Sequence, residues 1–173
     1  MSKERLPVQI DPVRLAETGR LLEGKIPLST MNRLSKLLVD DKGDVDVRLQ
    51  FGIDPEGIHF LKGRIQCQVM LECQRCLQTM AYEIDSGIAL GIIDSHEASE
   101  LLPSHYEPLV VEDGPLFTRD LVEDELLLSL PLVPMHPESE CAVGSKELKG
   151  EMQDGPEEAR RENPFSVLAG FKD

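Results

Sequence analysis

The sequence predicts an α+β fold, with an antiparallel β-meander or partly closed barrel packed by two main helices. Three consecutive runs between residues 44 and 93 alternate apolar and polar side chains with the period of two that is typical of half-buried strands. The runs at 29–43 and 117–131 space their apolar residues three and four apart, as amphipathic helices do. A flexible acidic C-terminal segment completes the predicted architecture.

The clearest strand lies in "DVDVRLQFGI", which begins at Asp44. Its apolar side chains share one face, namely Val45, Val47, Leu49, Phe51 and Ile53. The "DPEG" that follows predicts a tight reversal into an antiparallel neighbour. In that neighbour we expect a bulge at Gly63 and an inward-pointing Cys67 that acts as a small core residue. The run "LQTMAYEIDSGIALGII" predicts a third strand, so the three strands form a meander.

Helices are predicted on both sides of the meander, after short strands or extended segments in "LPVQIDP" and "RLLEGKIPL". The run "STMNRLSKLLVDDKG" has Ser29 or Thr30 as its candidate N-cap and a glycine at its end. The run "FTRDLVEDELLLSLP" has Thr118 as its candidate N-cap and is stopped by a proline. One acidic triplet of this second run is predicted to form a solvated face, namely Glu123, Asp124 and Glu125.

Residues 1–136 are predicted to form a single globular α+β domain, because 173 residues with 40% hydrophobic content suit one domain of ordinary size. Residues 137–173 are polar and predicted to be partly disordered, with a short terminal helix in "NPFSVLAGF".

The net charge of −14 is concentrated in the second half of the chain. Residues 1–90 carry 12 Lys and Arg against 13 Asp and Glu, whereas residues 91–173 carry 6 against 19. An acidic surface repels nucleic acid, so the second half favours a basic protein partner and any direct RNA contact belongs to the first half. Solubility alone is the alternative explanation of this charge.

The segment "MSKERLPVQI" lacks the apolar stretch of a secretory signal, and no run reaches the roughly 20 apolar residues of a membrane span. We therefore expect a cytoplasmic protein whose 4 cysteines are reduced. In that compartment the Cys-x-x-Cys of "LECQRCL" is better explained by metal or redox chemistry than by a structural disulfide. A thioredoxin-type pair lies where a strand enters a helix, whereas strand patterns flank this pair on both sides.

Cys73 and Cys76 have candidate partners in "HPESEC", which supplies His136 and Cys141. Three thiolates and one imidazole make a tetrahedral donor set for zinc, the one cofactor that the sequence suggests. Such a site would tie the exit of the acidic helix to the hairpin tip, and would explain why the turn does without glycine. The alternative is that the two thiols of the turn are small packed residues that bind nothing.

Signatures of catalysis are missing from the sequence. It has no glycine-rich phosphate loop ending in Lys-Ser or Lys-Thr, no Gly-x-Ser-x-Gly elbow and no His-Glu-x-x-His helix. We therefore expect a non-catalytic binding or adaptor protein without catalytic residues. An RNA-processing enzyme and a zinc- or thiol-dependent switch protein are the alternatives.

Four motifs in series resemble the YceD family, the large ribosomal RNA subunit accumulation proteins, namely "LPVQIDPVRLA", "VMLECQRCLQ", "LVEDELLLSLPLVPMHPESEC" and "NPFSVLAGF". The resemblance covers nearly the whole chain and keeps the order of the motifs. It implies a cytoplasmic ribosome biogenesis factor that supports the synthesis, processing or stability of 23S ribosomal RNA, with no established enzyme activity or cofactor. The expected partner is large-subunit ribosomal RNA or its assembly particle, reached through a basic ribosomal or assembly protein.

Overall fold

The computed structural model describes residues 6–111 and 115–143. The chain divides into two units, Met1–His136 and Pro137–Asp173. The described start of the second unit contains a turn, in which the amides of Glu140 and Cys141 both donate to the carbonyl oxygen of Pro137, at 3.0 and 3.1 Å. The rest of the predicted polar segment, including the terminal helix in "NPFSVLAGF", lies outside the described residues.

The strands and α-helices follow one another in the order β1 (Gln9–Ile10), α1 (Pro12–Glu17), β2 (Leu21–Pro27), β3 (Asp44–Ile53), β4 (His59–Glu72), β5 (Thr79–Ile93), β6 (Glu107–Val110), β7 (Leu116–Phe117) and α2 (Thr118–Ser129). Five of the strands form one sheet in the order β2-β3-β4-β5-β6, and β1 pairs with β7 separately. Neighbours in the large sheet are antiparallel except β5 and β6, which run parallel. The predicted α+β class and the meander are confirmed. Within the described residues the sheet is open, with β2 and β6 as its edges, so it is not a closed barrel.

The alternation of β3 determines which face of the sheet is buried. Its apolar residues Val45, Val47, Leu49 and Phe51 are buried, as the sequence predicts, whereas the fifth predicted residue, Ile53, is exposed at the end of the strand. Phe51 lies opposite Leu61 of β4, which in turn lies opposite Leu90 of β5, so apolar side chains continue across three strands. The core is therefore built on one face of the meander.

The turn between β3 and β4 forms as the "DPEG" motif predicts. Gly57 adopts a φ of +85°, which other residues rarely adopt. The carboxylate of Asp54 accepts the amides of Glu56 and Ile58, both at 2.9 Å. An Asx-type turn stabilised in this way fixes the register of the two strands.

α2 covers part of the sheet by packing on β5. It buries Leu121, Val122 and Leu126 and begins at the predicted Thr118. The predicted side-chain cap is wrong, because the hydroxyl of Thr118 donates instead to the carbonyl oxygen of Pro7, at 2.7 Å. That bond holds the N-terminal segment against the start of α2.

The predicted α-helix over residues 29–43 is wrong. Its sequence forms two short 3₁₀ turns, Leu28–Thr30 and Leu34–Leu37. The second helix of the fold is instead α1, which the sequence analysis missed. Asp11 caps α1, since its carboxylate accepts the amide of Arg14 at 3.0 Å, and Pro12 occupies the first helical position.

A buried carboxylate, that of Glu123 on α2, explains why residues 29–43 do not form a helix. Its Oε1 accepts the amides of Arg33 and Leu34, at 2.6 and 3.0 Å, and its Oε2 accepts Nε of Arg33 at 3.2 Å. Amides bound to a side chain of another element are not available to the carbonyl groups of a continuous α-helix. The predicted solvated face is therefore wrong at Glu123, whose side chain is only 4% exposed, although Asp124 beside it is exposed.

Replacement of Glu123 by Ala should destabilise the fold by about 3 kcal/mol, because the buried amide of Leu34 and the part-buried amide of Arg33 lose their acceptor, at about 1–3 kcal/mol each. The matched control is Asp124→Asn, which removes an exposed ion pair with the same Arg33 and should cost less than about 1 kcal/mol. Urea unfolding at pH 7 measures both changes. Equal effects of the two substitutions would contradict the role given to Glu123.

The same carboxylate predicts a pH dependence of stability. Burial raises the pKa of Glu123, but the amides of Leu34 and Arg33 and the Arg33 guanidinium outweigh burial and lower it below the ordinary 4.5. Because the pKa is lower in the folded state, the ionised carboxylate stabilises the fold above the unfolded-state pKa. This stabilisation is lost as pH falls through the folded-state pKa. Between pH 7 and about 3, Glu123→Gln should therefore lose less stability than the wild-type protein.

Gly63 does not form the predicted bulge, because β4 pairs through it without interruption, with Leu49 on one side and Ile88 on the other. A Cβ at this position would lie 2.7 Å from Cδ2 of Leu49 and 2.8 Å from the carbonyl oxygen of Arg48. Glycine is therefore required at this position by the close approach of β3.

Gly63→Ala should destabilise the protein by about 1–3 kcal/mol, since the backbone of β3 must move to admit the methyl group. Gly87→Ala on β5 is the control, because its Cβ would meet nothing within 4 Å. The control should stay within about 1 kcal/mol of the wild-type protein and benefit from lower unfolded-state entropy. Equal losses in both variants, measured by urea unfolding, would show that close approach at Gly63 is unimportant.

Candidate metal centre at a hairpin tip

The tip of the β4–β5 hairpin is a compact turn that carries two cysteines. The amide of Cys73 donates to the carbonyl oxygen of Gln78, at 2.9 Å. The amide of Leu77 donates to the carbonyl oxygen of Cys73, at 2.8 Å. Leu77 has a φ of +58°, the left-handed conformation that glycine normally supplies. This turn contains neither glycine nor proline, so a leucine adopts the strained left-handed conformation.

Three predicted ligands converge at this tip. Their donor atoms, those of Cys73, Cys76 and His136, lie within 4.8 Å of one another. Nδ1 of His136 is 3.4 Å from Sγ of Cys76, and the amide of His136 donates to Sγ of Cys73, also at 3.4 Å. Cys73 is fully buried, whereas Cys76 and His136 are half-buried. The structure brings these three residues together, and their binding of a metal ion stays a prediction.

The segment after α2 delivers His136 to the hairpin. The amide of Gln74 donates to the carbonyl oxygen of Pro134, at 2.9 Å, which fixes this extended segment against the turn. Nη2 of Arg75 lies 3.7 Å from Sδ of Met135, while Nη1 of Arg75 is buried and has no hydrogen-bond partner among the described residues. Sequence reasoning missed Pro134 and Arg75; the Pro-rich "LPLVPMHP" was the available signal of an extended segment.

Cys141, the fourth predicted ligand, belongs to the second unit and is half-buried. It follows His136 by five positions, across the turn that its own amide closes on Pro137. With Cys141 the donor set that the sequence predicts is three cysteines and one histidine, which suits a tetrahedral zinc ion.

The surroundings of Cys73 favour a thiolate. Burial raises the pKa of the Cys73 thiol, but the amides of His136, Cys76 and Arg75 outweigh burial and lower it to about 5. The Cys73 side chain in turn raises the pKa of His136 above its ordinary value, and Cys76 adds to this effect. A deprotonated sulfur is the form that binds metals.

Cys67 provides the contrast in the strand that leads to this turn. It lies in β4, away from the tip, and burial raises the pKa of its thiol to about 11. Its sulfur is therefore protonated at neutral pH, and its side chain is half-buried rather than part of the buried core that the sequence predicts.

Comparison with known proteins connects this geometry to a family. The sequence model of the family described as "Large ribosomal RNA subunit accumulation protein YceD" matches residues 61–172. A Haemophilus influenzae protein named "Large ribosomal RNA subunit accumulation protein YceD" is 35% identical over 175 residues, which cover 99% of each chain. The chain belongs to the YceD family. No solved structure matches it.

The YceD match extends from β4 to the C-terminal segment and so includes all four candidate ligands. It also includes α2 and the Pro-rich segment that carries His136. The N-terminal strands and α1 lie before the matched region and are covered by the similarity to the Haemophilus influenzae relative. Among the described residues, no helix is long and apolar enough to cross a membrane.

The strained Leu77 predicts an unusual response to substitution. Leu77→Gly should be more stable than Leu77→Ala by about 1 kcal/mol, because both variants lose the same exposed side chain and only glycine relieves the left-handed strain. At the exposed neighbour Gln78, whose φ is not positive, the order should reverse and Ala should be the more stable. Thermal unfolding of the four variants tests this, and alanine more stable at both positions would contradict the assigned backbone strain.

Proposed function

We propose that this YceD-family chain supports the accumulation of large-subunit ribosomal RNA as a non-catalytic ribosome biogenesis factor in the cytoplasm, where ribosomal subunits assemble. The proposal is carried by one observation: the chain matches, over 99% of both lengths, a protein whose name describes this role. Similarity over the whole length is stronger support than one shared motif would be.

The charges on the described surface support action through a protein partner. Six of the eleven Lys and Arg side chains that the structure describes in the first unit are neutralised by neighbouring acids, in the ion pairs Lys25–Asp46, Arg48–Glu23, Arg64–Asp85, Arg33–Glu123, Arg33–Asp124, Lys42–Asp40 and Arg119–Asp120. Arg64 binds Asp85 through two parallel hydrogen bonds, so its guanidinium is already engaged in the manner that a phosphate would require. Phosphate binding would need free cations on one face.

Two acidic side chains after β5, those of Glu107 and Glu125, lack such partners among the described residues. Glu125 is half-buried on α2, and burial raises its pKa, with the nearby Glu107 and Asp124 adding to the effect. Neither Glu107 nor Glu125 forms an ion pair within the described part of the chain. A carboxylate cluster of this kind repels RNA and attracts a cationic protein surface.

We therefore assign the second half of the chain as the surface that holds a basic ribosomal or assembly protein. In this mechanism large-subunit RNA is reached through that protein, and the first unit contributes at most weak, salt-sensitive contacts. The aromatic residues also favour this mechanism, because Phe60 and Tyr106 stack on each other and Lys62 lies over both rings, at 5.0 and 5.2 Å. Rings engaged in this way are less available as platforms for bases.

Complementation tests the role in RNA accumulation. Expression of this chain in a Haemophilus influenzae strain that lacks the 35% identical relative should restore the ratio of large-subunit to small-subunit ribosomal RNA. A stably expressed chain that leaves the ratio at the level of the deletion strain would contradict the proposed function. Purified protein should also leave precursor ribosomal RNA unchanged in length, and metal-dependent cleavage would contradict the non-catalytic assignment.

The adaptor mechanism predicts a charge-dependent partner. Glu107→Gln with Glu125→Gln should weaken binding to proteins salt-washed from large ribosomal subunits several-fold, because two unpaired carboxylates are lost. The control with the same change in charge is Glu72→Gln with Glu83→Gln, at exposed positions of β4 and β5, and should bind like the wild-type protein. Tight, sequence-selective binding of naked large-subunit RNA at physiological salt, unaffected by the first pair of substitutions, would overturn the mechanism.

A further inference from the structure

The arrangement at the hairpin tip has the dimensions of a zinc site. Zn–S and Zn–N bonds of about 2.3 and 2.0–2.1 Å in a tetrahedron place neighbouring ligand atoms about 3.5–3.8 Å apart. Sγ of Cys76 and Nδ1 of His136 are 3.4 Å apart, and no pair among the donors of Cys73, Cys76 and His136 exceeds 4.8 Å. Shifts of well under 1 Å per donor atom would therefore complete the coordination.

The environment of the donors is also that of a metal ligand. Backbone amides surround Cys73, and that of His136 donates directly to its Sγ at 3.4 Å, which is the outer-shell contact that orients a ligating thiolate. Zinc with three thiolates carries a net charge of one minus. The guanidinium of Arg75, in the same turn and with a buried nitrogen that lacks a partner among the described residues, offers the compensating positive charge.

The chain supplies a fourth ligand close to the third. Cys141 is five positions from His136, and the turn closed on the carbonyl oxygen of Pro137 reverses the chain between them. Four protein ligands close the coordination sphere, which is the mark of a structural zinc site, whereas catalytic sites keep one position open. The soft sulfur-rich donor set selects zinc over magnesium or calcium.

We propose that Cys73, Cys76, His136 and Cys141 bind one structural Zn²⁺ ion. The ion joins the tip of the β4–β5 hairpin to the segment that leaves α2, and so adds to the hydrogen bonds from Gln74 to Pro134 and from His136 to Cys73. It also holds the strained Leu77 turn closed. This inference does not depend on the proposed role in RNA accumulation, because it concerns the stability of the fold.

Zinc content of the purified full-length protein tests the proposal. Protein prepared without chelator should carry one zinc per chain by native mass spectrometry, and its midpoint of thermal unfolding should fall when zinc is removed by a chelator. Substitution of cobalt for zinc should give the visible d–d bands of a tetrahedral site and a sulfur-to-metal charge-transfer band. Because these measurements use the wild-type protein, they remain informative if a variant fails to fold.

Variants then assign the ligands. Cys73→Ser, Cys76→Ser, His136→Asn and Cys141→Ser should each weaken zinc affinity by about 100-fold or more. Cys67→Ala and His105→Asn are the matched controls outside the cluster and should retain full zinc affinity. A metal-free wild-type protein that gains neither zinc nor thermal stability on zinc addition would overturn the proposal, as would a Cys141→Ser variant with unchanged affinity and cobalt spectrum.

Discussion

The long β4–β5 hairpin is the constraint on which the rest of the structure depends. Its strands pair continuously from Phe60 opposite Gly91 to Glu72 opposite Thr79. The other strands of the main sheet extend this pair, with β3 and β2 beyond β4 and with β6 beyond β5. Towards the hairpin tip this pairing extends beyond that of β3, whose partners in β4 stop at Gln66. The end of the hairpin therefore projects past the sheet and needs contacts from elsewhere to be held. The segment after α2 supplies them through Pro134 and His136.

The carboxylate of Glu123, on α2, likewise holds a neighbouring segment in place. Its single carboxylate organises the amides of Arg33 and Leu34, so that the segment between β2 and β3 can pack Leu28, Met31 and Leu34 into the core without forming a helix. α2 thus packs on the sheet by its apolar face and binds the 3₁₀ turns through the buried carboxylate of Glu123. The segment that follows α2 contacts the hairpin tip. A helix fixed at three places is a rigid base on which Glu125 and its acidic neighbours are presented.

Local patterns in the sequence predict the parts of this fold that depend on nearest neighbours. The alternation in β3, the turn at Gly57 and the apolar spacing of α2 each follow from side-chain periodicity and backbone preference, and each is present. Residues 29–43 have helical spacing too, but a partner 90 positions away takes their amides, and no local pattern contains that information. The parallel strand β6 and the short α1 were missed because four and six residues carry too little periodicity.

The candidate site also combines features that local sequence predicts with features that depend on tertiary contacts. Residue type and spacing were sufficient to select the two cysteines and His136, because sulfur and imidazole ligands are scarce in this chain. The pattern could not show that Leu77 closes the turn in a left-handed conformation, or that Arg75 of the same turn contacts Met135 and has a buried nitrogen, since both depend on tertiary structure. The sequence shows which residues have the chemistry of metal ligands, whereas tertiary contacts determine where those residues lie.

X-ray absorption at the zinc edge of the purified wild-type protein tests the central claim, that a metal ion joins this segment to the hairpin tip. The account predicts a first shell of three sulfur atoms at about 2.3 Å and one nitrogen atom at about 2.0–2.1 Å. A shell of oxygen and nitrogen atoms alone would show that the cysteines are not ligands and would contradict the account.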